Sequence, residues 1–254
     1  MKIRRHKKAL AILCALVLIA VVYLAWPSPK ATAPLTATPA AGSSAANRFD
    51  KSQYSLTEPS SIWVVVNKQH PLQPIDYAPS DLVFPAVPLR VPGNESMQLR
   101  QVTAKALEQM FAGAKLANIN LQLSSGYRSY SYQVILYNSY VKADGRAQAD
   151  QESARPGYSE HQTGLAVDLE PTSRNCELQT CFAATPEGKW LSANAYKYGF
   201  ILRYTPANQA ITGYESEPWH FRYVGPALAG QMHGVGITTL EQFFEVSGGS
   251  AYSS

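Results

Sequence analysis

One apolar run constrains this chain more than any other feature. Ala9 to Trp26, ALAILCALVLIAVVYLAW, is 18 residues without a charge, and no comparable run recurs. At about 1.5 Å rise per residue it just spans a hydrocarbon core of roughly 30 Å. A single such run excludes a multi-span membrane protein. Lys2, Arg4, Arg5, Lys7 and Lys8 precede it, the pattern of a signal peptide or of a single membrane anchor. A cleavable signal ends in a small-x-small site, whereas this run ends YLAWP with bulky Trp26 before Pro27. That favours a retained anchor, with the basic head in the cytoplasm and the remainder exported. Cys14 follows Leu13 in mid-run and reads as an ordinary apolar residue. Residues 27–46, PSPKATAPLTATPAAGSSAA, have nothing to bury and favour extended backbone, so they read as a spacer. The predicted organisation is a signal or anchor over 1–26, a Pro/Ala/Thr-rich linker over 27–47 and one folded domain over 48–254.

This division changes how the net charge is read. The whole chain carries a formal +4, but from Arg48 onward 16 basic side chains face 18 acidic ones. The folded part is therefore slightly acidic, which removes the simplest electrostatic basis for nucleic-acid binding. No obligate protein partner is signalled either. Two cysteines remain in this part, Cys176 and Cys181 in CELQTC. An even count in an oxidising compartment favours a small disulfide loop. The competing reading, half of a zinc site, lacks a companion cysteine pair.

Within the domain, IWVVV at 62–66 reads as a β-rich run and the proline-rich DYAPSDLVFPAVP as extended chain wrapping the fold. Leu99, Val102, Ala106, Met110 and Ala114 recur at helical spacing, with Leu107 and Phe111 widening the stripe. LQLSS at 121–125 alternates as a strand, a second helix covers about 131–143, and 146–160 reads as a polar loop. LAVDLE at 165–170 alternates again, placing Leu165, Val167 and Leu169 on one face and Ala166, Asp168 and Glu170 on the other. Thr185-Pro186 starts a helix that Gly199 ends. FILRYT at 200–205 and WHFRYV at 219–224 are extended, and a last helix runs from about Thr239 to Val246. Helices early and late, short strands between them and no βαβ rhythm predict an α+β fold on an antiparallel sheet flanked by helices.

His161, Asp168 and His220 all stand close to turn signals. Two imidazoles and a carboxylate are a usual ligand set for one catalytic Zn2+, because they leave a position for water. A mid-strand carboxylate between Val167 and Leu169 is costly to bury unless it is paired or bound to a metal. The loop before it can fold His161 back, with Gly164 supplying the close approach. Glu217 lies three residues before His220, with Pro218 bending the chain between them, where it can serve as the base that such a water needs. Trp219 reads as a core aromatic, and His70 and His233 as surface or structural residues.

Read together, SSGYRS, SEHQTGLAVD and EPWHFRYVG resemble the zinc D-alanyl-D-alanine carboxypeptidases, VanY-like members of the lysostaphin/D-Ala-D-Ala-carboxypeptidase/hedgehog superfamily. The resemblance covers about residues 62–226, and the motifs are specific in order and spacing. It implies a hedgehog/D-Ala-D-Ala-peptidase-like fold and a peptidase facing the cell wall or periplasm that trims peptidoglycan stem peptides. It implies His161, Asp168 and His220 as zinc ligands, Glu217 as catalytic base and Arg128 as the residue that steadies the substrate. Ser125, Tyr127, Ser129, Gln133 and Ser159 match positions near the substrate. The expected activity is removal of the terminal D-Ala. The alternatives are an L,D-carboxypeptidase acting on tetrapeptide stems and a peptidoglycan endopeptidase. A non-catalytic wall-binding module would keep the ligands but not Glu217, and a structural domain would not need the three ligands together.

Overall fold

Alternating side chains and tight turns give this chain short strands, and each strand is positioned by the helix or turn before it. The computed structural model describes residues 49–253. The apolar run and the linker lie outside the described residues, among which no helix is long and apolar enough to cross a membrane. The proline-rich stretch contributes only Leu82–Val83 (β1), paired antiparallel with Leu99–Arg100 (β2). Helix α1 follows at once, Gln101–Leu116, with Ala106, Leu107, Met110, Phe111 and Ala114 buried as the periodicity predicts. Next come strand β3 (Leu121–Ser125), helices α2 (Tyr130–Asp144) and α3 (Arg146–Glu152), and strand β4 (Ala166–Pro171). Helix α4 (Pro186–Asn194), strand β5 (Phe200–Tyr204), the single turn α5 (Gln209–Thr212) and strand β6 (Glu217–Tyr223) complete the centre, and α6 (Pro226–Val235) and α7 (Leu240–Phe244) close the chain.

The main sheet has the order β3-β4-β6-β5 and is antiparallel throughout. One of its faces packs on α1: Leu123, Val167, Leu169 and Phe221 share a buried cluster with Leu107 and Met110. Removing side chains of this size from water is worth about 1.5–3 kcal/mol each. A second cluster gathers Trp63, Val65 and Ile201 with Leu228 and Met232 of α6 and Leu240 and Phe243 of α7. The fold is therefore α+β, an antiparallel sheet flanked by helices, as the element order implies.

Several local expectations change. Residues 63–66 are buried and Ile62 partly so, but the run is not a strand. Val64 and Val66 enter the first cluster while Trp63 and Val65 enter the second. The β-branched run is an extended partition between two cores, with the Val65 N–H donated to Leu56 O at 2.9 Å rather than to a strand partner. Residues 146–152, read as loop, form α3. Only Ala149 is buried there, so the helix rests on the propensity of Arg, Ala, Gln and Glu and leaves no apolar stripe to detect. Helix α6 was not anticipated, although Pro226 at its first turn and left-handed Gly236 at its end are the usual boundary residues. The α4 expectation ends early: the chain tightens to a 3-10 turn over Ala195–Tyr198 before left-handed Gly199.

Candidate metal centre

The face of the sheet turned away from α1 carries the site. Asp168 lies directly opposite His220 across the β4–β6 pair. On its other side it pairs with Ser125 of β3, at a bulge where two residues of β3 advance against one of β4. Arg128 follows three residues after that strand position. His161 comes from a 3-10 turn, Glu160–Thr163, that Gly164 ends at φ 66°. A Cβ at Gly164 would stand 2.9 Å from Arg100 Cγ, so only glycine lets this turn lie against β2. Gly126 is equally confined, with Gln98 O at 2.5 Å from a built Cβ, and its carbonyl accepts the His161 Nδ1–H at 2.6 Å.

Residues three apart on a strand normally face opposite ways, yet Glu217 Oε2 lies 3.6 Å from His220 Nδ1. The β5–β6 register explains this. Leu202 pairs with Phe221 and Tyr204 with Glu217, so β6 carries extra residues, with Pro218 among them. Such a bulge re-aims a side chain, and here it turns Glu217 toward the ligands.

Ligand atoms of His161, Asp168 and His220 all lie within 4.8 Å of one another, and the three residues are buried. His161 Nε2 is 3.3 Å from Asp168 Oδ2 and His220 Nδ1 is 3.2 Å from Asp168 Oδ1. Hydrogen bonding fixes what these atoms are. A carbonyl only accepts, so His161 carries its proton on Nδ1 and turns a lone pair on Nε2 toward Asp168. His220 Nε2 lies 3.2 Å from Glu160 Oε2 and donates to that carboxylate, which leaves Nδ1 as the inward atom. Two imidazole lone pairs and a carboxylate thus converge, and Asp168 Oδ1 is buried without a hydrogen-bond partner. Acceptors gathered in this way repel unless a cation lies among them, so the residues fit a metal ion. A proton is the competitor: burial lowers the His220 pKa, but Asp168 and Glu160 outweigh it and push it up to about 9.

Glu160 escaped the sequence reading. It is fully buried and accepts Arg203 Nε–H and Arg222 Nη1–H, each at 2.9 Å, on the oxygen not used by His220. Burial would raise its pKa, but Arg203 and Arg222 hold it well below the usual carboxylate range. Arg203 also forks onto Glu241 of α7 at 2.9 and 2.6 Å, and Asn67 donates to the same carboxylate at 2.8 Å. The orienting contact of His220 is thus anchored through a buried charge network to both ends of the domain. The signal in the sequence was a basic residue in each of FILRYT and WHFRYV, but their common partner lies about 40 residues or more away.

Arg128, Ser159, His161, Asp168, Glu217 and His220 line one cleft together with Tyr204, Tyr214 and Trp219. Arg128 Nη2 is 4.0 Å from Asp168 Oδ2 and donates to Ser125 Oγ at 3.3 Å, while its Nη1 donates to Gln133 Oε1 at 3.1 Å. Ser125 and Gln133 therefore set the guanidinium rather than line the cleft. Gln133 is held in turn by Ser153 Oγ and Ala154 O. Ser129 caps α2 by accepting from Tyr132 N, and Tyr127 is buried. Glu217 keeps 21% side-chain exposure; burial and the nearby Asp168 raise its pKa to about 7 against the opposing pull of His220 and Arg128. Trp219, expected in the core, is half-buried and touches both core and cleft. His70 and His233 stand apart, one 3.0 Å from Ser247 Oγ and the other stacked on Tyr196. A disulfide joins Cys176 and Cys181.

Comparison with known proteins agrees with this geometry. The model of the VanY D-alanyl-D-alanine carboxypeptidase family matches residues 96–226. A putative carboxypeptidase of Bacillus subtilis, YodJ, is 44% identical over 194 residues, 75% of this chain and 70% of the relative. Among solved structures, the LdcB LD-carboxypeptidase is 44% identical with a TM-score of 0.70, over 74% of this chain and 88% of its own. A D,D-pentapeptidase VanY in complex with Zn(II) is 29% identical with a TM-score of 0.60, over 74% of this chain and 99% of its own.

Proposed function

Because this chain belongs to the VanY D-alanyl-D-alanine carboxypeptidase family, and so is a metallopeptidase acting on peptidoglycan stem peptides, we propose that it is an L,D-carboxypeptidase that removes the terminal residue of a tetrapeptide stem. The observation that carries the choice is the likeness to the LdcB LD-carboxypeptidase, higher in both identity and TM-score than that to the zinc-bound D,D-pentapeptidase. It replaces the D,D reading drawn from the motifs, which encode bond-breaking chemistry and not the pocket for the residue before the bond. The domain would act outside the cytoplasm, held at the membrane or released according to the fate of residues 9–26.

The metal is read as one zinc held by His161 Nε2, Asp168 and His220 Nδ1, a ligand set that suits it. Bound there, zinc would supply a Lewis acid that makes an attacking water acidic and polarises the scissile carbonyl. Glu217, beside His220 and no part of the ligand set, accepts the water's proton and returns one to the leaving amine. Arg128 offers a planar fork, aimed by Ser125 and Gln133, to the terminal carboxylate of the substrate. Ser159 and the rings of Tyr204 and Tyr214 wall the cleft.

Incubation of the purified domain with tetrapeptide and pentapeptide stems, with products read by mass, tests the reading. Loss of one residue from the tetrapeptide, with the pentapeptide cut more slowly, is expected. Preferential trimming of the pentapeptide would restore the D,D assignment, and an internal cut would indicate an endopeptidase.

A further inference from the structure

Leu178 lines the cleft, yet neither the chemistry nor the core accounts for it. It lies between Cys176 and Cys181, within the disulfide-closed loop that follows β4, and it lines the same cleft as the metal ligands. Its backbone is left-handed, with φ 46°, a conformation that an L side chain adopts at a cost and that glycine or asparagine would accept readily. It also leaves 37% of its surface exposed, so burial gives it little reason to be leucine. The loop is pinned from two directions: by the disulfide, and by Glu177, which pairs with both Arg90 and Arg174. Leu136 and Tyr140, one turn apart on α2, add apolar surface to the same cleft.

A carboxypeptidase releases only the last residue, so beyond the scissile bond there is one side chain and one carboxylate. Arg128 accounts for the carboxylate. One side chain cannot cover Leu136, Tyr140 and Leu178 together, so part of this apolar lining is left for the upstream part of the stem. We propose that Leu178 is a specificity-determining residue that packs against the aliphatic surface of the stem residues preceding the scissile bond, and that the Cys176–Cys181 loop serves to present it. This rests on the reading of the chain as a stem-peptide carboxypeptidase.

Leu178→Asn tests it, because asparagine tolerates the left-handed backbone and removes only the apolar contact. The variant should keep the thermal midpoint of the unaltered protein. Its KM for the tetrapeptide stem should rise by about 3- to 10-fold, the worth of one modest apolar contact, with kcat within about twofold. An N-acyl dipeptide with the same C-terminal bond, lacking the upstream residues, should be cleaved by the variant and the unaltered protein alike. Leu178→Met should restore the KM, and joint replacement of Cys176 and Cys181 by Ser should raise it as Leu178→Asn does. An unchanged tetrapeptide KM, an equal rise for both substrates, or a fall in kcat alone would overturn the inference. Those outcomes leave the functional reading intact. An unaltered protein that cleaves neither substrate overturns that reading, and this inference with it.

Discussion

Single residues carry the chemistry, and Arg128 is the one whose role most needs a test. Its guanidinium is directed by Ser125 and Gln133 and stands near Asp168, a placement compatible with gripping a carboxylate and with steadying a developing oxyanion. The two roles separate kinetically. Arg128→Lys keeps the charge and loses the fork, so carboxylate binding predicts a raised KM, whereas an oxyanion role predicts a lower kcat with KM little changed. The account predicts the first, together with strong rejection of a C-terminally amidated stem by the unaltered enzyme and loss of most of that preference in the variant. Steady-state kinetics on acid and amide check both. At this scale much of the site was legible, because His161, Asp168, Glu217 and His220 sit in local motifs beside glycine and proline. Ser129 and Tyr127 show the limit: their motif positions adjoin Arg128, but one caps α2 and the other is buried.

Elements decide whether those residues meet. The β4–β6 register sets Asp168 against His220, and the β6 bulge turns Glu217 inward. Behind them the buried chain from His220 through Glu160 to Arg203 and Glu241 joins the ligand strand to α7. Glu160→Gln should keep the shape but weaken the orienting contact, lowering metal affinity by about 10–100-fold, measurable by competition with a chelator. It should also destabilise the fold, because Arg203 and Arg222 lose a buried counter-charge. Glu241 gives a prediction in pH. Burial would raise its pKa, but Arg203 and Asn67 lower it from the ordinary 4.5. A depressed folded pKa contributes stability that is complete above the unfolded value and is lost as pH falls through the folded one. Acidification below about pH 4.5 should thus lower the thermal midpoint of the unaltered protein more steeply than that of Glu241→Gln, which starts lower. Parallel slopes in calorimetry would contradict this. The sequence could not disclose this network, because its partners are far apart in the chain and each, taken alone, resembles a surface charge.

Across the described molecule, two cores and a terminal strap hold the cleft in shape. The 62–66 run separates the cores, and its β-branched composition resembled a strand because burial on both sides selects the same residues as sheet pairing does. The C-terminal residues close over the domain: Ser253 N donates to Lys68 O at 2.8 Å, and the Tyr252 hydroxyl accepts from Arg155 N at 3.0 Å, just ahead of the ligand turn. None of this carries a periodic signal, whereas α1 and the sheet strands do, which is why the fold class was readable and the strap was not. Three residues that hold a metal and a fourth, Glu217, that moves the proton are the core of the proposed mechanism. Metal content and turnover on tetrapeptide stem, measured on the same preparations of the unaltered protein and of Glu217→Gln, test it most directly. The account predicts about one equivalent of zinc in each, with turnover in the variant lower by roughly 10²–10⁴-fold. A variant that keeps zinc and turns over within a few-fold of the unaltered protein, or an unaltered protein that holds under about half an equivalent and does not respond to added zinc, would contradict it.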